Sequence, residues 1–272
     1  MSKEVLLIND LAGYGKVALS AMIPVMSHMG VNVHNLPTAL VSNTLDYGKF
    51  DILDTTEYMK NALHVWKELG FSFDAISTGF IVNGEQAQLV TDYCKEQSDK
   101  GVMVLCDPIM GDDGSLYPGM GEETVINMKK LISCADYILP NYTEAVFLTG
   151  RTYKEHPDEE EIRSLIDSLR EAGAGSVAIT SVVTDTVHKI SCYDKKEDRY
   201  FDIPYENIPV RFPGTGDIFS SVMLGSLMNG ERMEDSVAKA SQMVKSMISD
   251  NLDTEDRFRG IEIERCLKEM NV

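Results

Sequence analysis

The sequence has no apolar run long enough to span a bilayer, and it is short of positive charge. Its 25 Lys and Arg stand against 43 Asp and Glu, a formal net charge of −18. So acidic a chain repels polyanions, which argues against a general nucleic-acid or anionic-membrane surface. A nucleotide remains within reach if local amides and a divalent cation offset its phosphates. Cysteine is scarce: Cys94, Cys106, Cys134, Cys192 and Cys266 are scattered and free of CxxC spacing. That usage suits a reducing cytoplasm, with the five read as small buried hydrophobes. The five histidines show no metal-ligand spacing, and no G-x-S-x-G elbow occurs. Met1 to Glu4 leads straight into an apolar strand without a signal-peptide layout, so a cytoplasmic protein is expected.

What is present is an alternating pattern over 272 residues. Short continuous apolar runs at 5–8, 31–33, 74–78, 102–106, 136–139 and 176–180 read as strands. Helical spacing marks 18–29, a helix capped by Asp54 or Thr55 and running to Leu69, then 84–100, 122–134, 143–148 and 158–172. Between residue 33 and Asn43 the chain reads as irregular through Pro37. Strands alternating with helices indicate a mostly parallel sheet covered on both faces. After Thr180 the pattern changes to an antiparallel hairpin, 187–193 and 199–203, and then to helices at 217–229, 233–250 and 261–270. No linker, repeat or composition break interrupts it, and a single domain over residues 1–272 is expected.

Phe212-Pro-Gly-Thr-Gly-Asp217 is the most informative stretch. Gly214 and Gly216 let backbone amides approach an anion, and the helix behind them adds unpaired N–H groups and a partial positive charge. Asp217 then sets a carboxylate beside a place built for negative charge. The alternative is an ordinary helix cap. Cys106-Asp107-Pro-Ile-Met-Gly-Asp112-Asp113-Gly114 follows a central strand, at the edge where open parallel sheets bind ligands. Asp107, Asp112 and Asp113 could hold a divalent cation, or form a solvated turn. Asn141 and Glu144 share one face of a first helical turn, as ligands or as a cap. Thr180 and Ser181 end the next strand and could bond phosphate oxygens. Polar groups at several strand ends plus a glycine-amide cradle with an aspartate suit phosphoryl transfer, which needs positioning and charge neutralisation. Gly13-Tyr-Gly15-Lys-Val-Ala18 also matches the dinucleotide fingerprint G-x-G-x-x-A. The acidic residue that fingerprint needs is missing around Asn32–Asn35, which weakens a dehydrogenase reading.

These pieces resemble the ribokinase-like superfamily and, within it, the pyridoxal (vitamin B6) kinases. The resemblance is carried by Ile8-Asn-Asp-Leu-Ala-Gly-Tyr-Gly15, Ser42-Asn43 with Tyr47-Gly48, Thr78-Gly79-Phe80, Cys106 to Asp112, Pro140-Asn-x-x-Glu144 and Gly214-Thr-Gly-Asp217. It implies a three-layer α/β sandwich and an ATP-dependent kinase for the hydroxymethyl group of a B6 vitamer, in salvage of the cofactor. By the same resemblance Asp217 is the base, and Gly214, Thr215 and Gly216 form an anion hole. Asp107, Asp112, Asn141, Glu144, Thr180 and Ser181 lie around the nucleotide, with Asp107 and Glu144 toward Mg2+. Asp10, Val17, Tyr47 and Phe80 line the vitamin ring, Phe80 as a stacking platform. A monovalent cation such as K+ and a homodimer are also implied.

The chain departs from that pattern at its vitamin end. Asp10 stands where many pyridoxal kinases have serine, Leu11 replaces histidine, and Ser42-Asn43-Thr44-Leu45 puts leucine where threonine is usual. A carboxylate at Asp10 would favour a cationic or donor-rich ring substituent, as in pyridoxamine or an aminopyrimidine. The rival readings are a hydroxymethylpyrimidine or small-sugar kinase and a catalytically silent B6-binding protein.

Overall fold

The apolar runs become strands and the periodic stretches become helices in the computed structural model, which describes residues 2–185 and 187–269. The result is an α/β fold with a mostly parallel sheet and helices around it. By internal packing the chain forms two compact units, Met1–Ser77 with Ile208–Val272, and Thr78–Asn207.

The first unit opens with β1 (Glu4–Ala12), α1 (Leu19–His28), β2 (Asn32–Val41), β3 (Ile52–Asp54) and α2 (Thr56–Leu69). β1 runs parallel to β2, and β3 pairs antiparallel with Ala39–Val41. Val5 to Ile8 are fully buried, as a strand covered on both faces requires. The segment expected to be irregular is in fact the ten-residue strand β2, Pro37 included. Proline is tolerated because the β1–β2 register is irregular there and β3 begins pairing only at Ala39, so no ladder donor is needed. β3 escaped the sequence reading because all three of its residues are exposed and carry no burial pattern. The start of α2 is held by Asp54, whose carboxylate accepts from the Thr56 N–H at 2.7 Å.

β4 (Ala75–Thr78) leads into the second unit, which continues with α3 (Gly84–Ser98), β5 (Met103–Cys106), β6 (Gly111–Asp112) and β7 (Ser115–Leu116). Then come α4 (Glu122–Ile132), β8 (Tyr137–Ile138), α5 (Tyr142–Thr149), α6 (Glu159–Glu171), β9 (Ser176–Val183), β10 (His188–Asp194) and β11 (Arg199–Tyr205). β5, β8 and β9 are parallel neighbours, while β9–β10 and β10–β11 are antiparallel, the expected hairpin. α6 shows why its sequence was readable. Asp158 accepts from the Glu161 N–H at 2.8 Å, and Ile162, Leu165, Ile166 and Leu169 fall on the buried face.

The first unit closes with α7 (Thr215–Met228), α8 (Met233–Ser249) and α9 (Ile263–Glu269). α7 is buried on all sides from Ile218 to Leu227, which its unbroken apolar run requires. It starts two residues earlier than expected, so Asp217 lies inside the first turn. The expected end of the last helix at Met270 lies outside the described residues. Among the described residues no helix is long and apolar enough to cross a membrane.

Candidate active site

In the first unit the glycine turn is held from behind by backbone. Gly214 is the N-cap of α7 with φ +86°, and a Cβ there would lie 2.1 Å from the Lys16 carbonyl oxygen. Gly260, at φ +83°, meets the same carbonyl, and the Lys16 N–H donates to the Arg259 carbonyl at 2.7 Å. Three segments therefore pack main chain to main chain, and side chains are excluded. Gly216 is the opposite case: a Cβ there would touch nothing within 4 Å. Its amide and those of Thr215 and Asp217 precede the first closed helical bond, from the Ile218 N–H to the Gly214 carbonyl at 3.0 Å. Amides without an intrahelical acceptor, the positive end of the helix dipole and the open space at Gly216 together leave room for an anion.

Asp217 is clamped at both oxygens. Oδ2 accepts from the Ala18 N–H at 2.7 Å and Oδ1 from the Asn9 side-chain amide at 3.3 Å. Ala18 holds φ +48°, ψ −134°, a backbone region that L-residues rarely adopt, and so delivers its N–H to the carboxylate. Burial pushes the Asp217 carboxyl from 3.8 up to about 6, against these two hydrogen bonds that pull it down. Asp10 rises to about 7, first through burial and then through the charge of Asp217. Two carboxylates thus titrate near neutrality on one face of the first unit, the range a general base needs. Val17 borders the turn, its Cα 3.3 Å from the position of a Gly214 Cβ. The Tyr47 hydroxyl donates to Asp256 at 2.5 Å, and its ring meets Phe258 edge-on at 5.6 Å and Tyr14 at 6.0 Å.

The second unit carries the other half of the expected set at the carboxyl ends of its parallel strands. Asp107 follows β5, with its N–H on the Thr78 carbonyl at 2.9 Å. Asn141 caps α5 and forms a reciprocal box with Glu144: its Oδ1 accepts from the Glu144 N–H at 2.9 Å, and Glu144 Oε2 accepts from the Asn141 N–H at 2.8 Å. Glu144 Oε1 also accepts from the Met110 N–H at 3.0 Å, and the Asn141 amide donates to the Gly111 carbonyl at 2.7 Å. Both residues are therefore structural caps, whatever else they do. Glu144 is buried, and its carboxyl is held well above the ordinary range by burial and then by the charge of Asp107. Replacing Glu144 with Ala strands two buried N–H groups, and we expect about 2–4 kcal/mol less stability in urea unfolding.

Asp112 and Asp113 separate cleanly. Asp113 (φ +49°) and Gly114 (φ +77°) are the two central residues of the β6–β7 hairpin, the left-handed pair a type I′ turn demands. Asp112 accepts the Asp113 N–H at 3.0 Å. Asp113 is thus explained by the turn alone. Thr180 bridges Asn141 in parallel fashion, its N–H on the Pro140 carbonyl at 2.9 Å, which brings two of the predicted strand-end residues together. Ser181 holds φ +56° where the β9–β10 register slips, a bulge at the sheet's polar end. Phe80 lies in the loop between β4 and α3, half-buried. Among the described residues no group of three or more metal-ligating side chains is assembled.

Sequence reasoning missed Asn9, Ala18 and the Arg259–Gly260 backing. Asn9 left one signal, an amide directly after the apolar run Val5 to Ile8; the other two left none, because their roles are backbone roles set by distant segments.

A family model described as phosphomethylpyrimidine kinase matches residues 14–261. A Bacteroides thetaiotaomicron protein named as a phosphomethylpyrimidine kinase, whose crystal structure was solved in a form with pyridoxal, superposes with a TM-score of 0.94. It is 36% identical, over 100% of this chain and 97% of that one. Pyridoxal kinase from Lactobacillus plantarum superposes with a TM-score of 0.89 at 28% identity, over 98% of this chain and 96% of that one. The pyridoxal kinase of Dictyostelium discoideum is 27% identical over 241 residues, 83% of this chain and 78% of that protein. These matches bear out the resemblance to B6 and related pyrimidine kinases. The chain, matched over nearly its whole length, belongs to the phosphomethylpyrimidine kinase family and is a phosphotransferase.

Proposed function

We propose that this kinase transfers the γ-phosphoryl group of ATP to the hydroxymethyl group of a B6 vitamer. One observation carries the reading: the carboxylate of Asp217 sits in the first turn of α7, clamped by Ala18 and Asn9 and raised to about 6, beside open amides. Asp217 takes the proton of the attacking hydroxyl, and the amides of Gly214 to Gly216 receive the developing charge on the transferring phosphoryl. Asp10, Val17, Tyr47 and Phe80 are the proposed ring contacts, with Asp10 selecting among ring substituents. In the second unit Asp107, Asp112, Asn141, Thr180 and Ser181 bind the nucleotide phosphates.

Asp107, at the polar end of β5, fits a magnesium ion that takes phosphate oxygens and water at its remaining positions. Glu144, buried with both oxygens on backbone N–H groups, would act on such an ion through its charge and not as a direct ligand. Bound there, the ion would neutralise phosphate charge as it transfers. A monovalent cation, a homodimer, a single functional domain over residues 1–272 and a cytoplasmic setting complete the proposal.

The matching family's description and the Asp10 and Leu45 substitutions favour a second substrate class, hydroxymethylpyrimidines. An ADP-release assay over pyridoxal, pyridoxamine, pyridoxine, hydroxymethylpyrimidine and ribose, with and without Mg2+ and K+, separates these. We expect kcat/KM for a B6 vitamer to exceed that for ribose by at least about 100-fold, as loss of matched polar contacts dictates. A pyrimidine preference would install the second reading, and no turnover of any substrate would end both.

A further inference from the structure

Asn9 is 2% exposed inside β1, directly after the buried run Val5 to Ile8, where an unpaired amide would be costly. Its environment explains its retention. The β1–β2 register runs Asn9 to Pro37 and then Leu11 to Leu40, skipping Asp10. The Asp10 N–H, left off the ladder, donates to Asn9 Oδ1 at 3.0 Å. That bond fixes which way the amide faces, so Nδ2 points at Asp217 Oδ1 (3.3 Å) and at the Met22 sulfur (3.5 Å). One side chain therefore ties the backbone of Asp10 to the carboxylate of Asp217, across 208 residues of sequence.

We propose that Asn9 is a positioning residue for Asp217: its amide, oriented by the strand irregularity at Asp10, holds the carboxylate in register with the Ala18 N–H and keeps it ionised at neutral pH. This rests on the kinase reading of Asp217 for its functional meaning, though not for its physical content. The charged groups around the carboxylate are few. Asp10 on β1 faces it with like charge, and the Lys16 ammonium on the neighbouring loop is bonded to Glu264. α1 contributes the Ala18 amide and α7 no second charge. With no cation engaged among the described residues, neutral donors do the holding, and removing one matters.

The test needs no substrate. In the full-length protein, carbon-detected NMR of the side-chain carboxyls follows Asp217 against pH in wild type, Asn9→Asp and Asn9→Ser. Asn9→Asp keeps an acceptor for the Asp10 N–H while replacing the donor to Asp217 with like charge. We expect the Asp217 midpoint to rise by about one unit or more in Asn9→Asp and by about half a unit in Asn9→Ser, the scale of a lost hydrogen bond or an added neighbouring charge. In turnover assays the acid limb of kcat should move up by the same amount. KM should stay within about twofold, and activity should recover at high pH, since a raised pKa is overcome by hydroxide. An Asp217 midpoint unmoved in both variants, with only a lowered melting temperature, would overturn the proposal and leave Asn9 a packing residue. If Asn9→Asp does not fold, Asn9→Ser decides alone by the same shift. Wild type that titrates as expected but turns over no substrate would refute the kinase reading and spare this one.

Discussion

Asp217→Asn should lower kcat by about 1,000-fold while leaving the fold intact, because the general-base role proposed for it contributes about 10²–10⁴-fold and the amide cannot accept the proton. The substitution is nearly isosteric, and the new amide oxygen can still accept from the Ala18 N–H. Stability should not fall with activity. The folded carboxyl titrates at about 6 against 3.8 in the unfolded chain, so the unfolded state releases its proton first. Below about pH 4 both states are protonated and the residue has no net effect. Between about 4 and 6 the protein loses stability as pH rises, by about 3 kcal/mol for a shift of roughly two units. Removing the charge abolishes that loss, which offsets the donor-to-donor contact the new amide makes with Asn9. Melting temperature at pH 8 should therefore stay within about 4 °C of wild type. Steady-state ADP release and thermal melts on the same preparation check both halves. Wild-type activity should rise with pH through about 6 to 7, as Asp217 and Asp10 ionise together.

Gly214→Ala should be more damaging than any other single methyl addition in the turn. The residue sits at φ +86°, and its Cβ would approach the Lys16 carbonyl oxygen to 2.1 Å. Neither partner is a flexible side chain, so relief requires separating the 16–17 and 213–214 segments, which Gly260 also pins. The left-handed backbone alone costs about 1 kcal/mol, and the clash brings the expected loss to about 3 kcal/mol or more. Whatever protein folds should lose about 100-fold or more in kcat, since an oxyanion cradle displaced by a fraction of an ångström loses its donors. Gly216→Ala is the control. Its Cβ meets no protein atom, so stability should change by less than about 1 kcal/mol, and any activity lost there reports on what enters the open space. Urea unfolding of the two variants side by side tests the contrast.

Much of the site was legible because its residues sit directly after apolar runs. Asp107 follows β5, Asn141 follows β8 and Asp217 follows Gly-Thr-Gly, so local order in the chain already assigned them to strand ends and a helix start. The parallel alternation was readable for the same reason: a strand covered on both faces must be apolar throughout, and a half-covered helix must repeat near every fourth residue. β3 was not readable because this short strand at the sheet's edge has all three residues exposed and so no burial pattern, and most of β2 was not because its burial does not alternate and it carries Pro37. Asp113 was open between a ligand and a turn, and its φ of +49° places it in a hairpin turn that needs that backbone.

The sequence by itself determined the alternating α/β plan, the glycine-flanked helix start and the polar strand ends, all encoded within a few residues of each other. Only the tertiary structure decided the proton affinity of Asp217, because burial raises it and the two hydrogen bonds that pull it down come from the Ala18 amide and the Asn9 side chain, 199 and 208 residues away along the chain. It also decided why Gly214 must be glycine, since the obstructing atom is a carbonyl from the first loop. Propensity and pattern reach about one helical turn along the chain. Proton affinity and steric exclusion depend on whatever atoms lie within a few ångströms, and here folding brought those atoms from the other end.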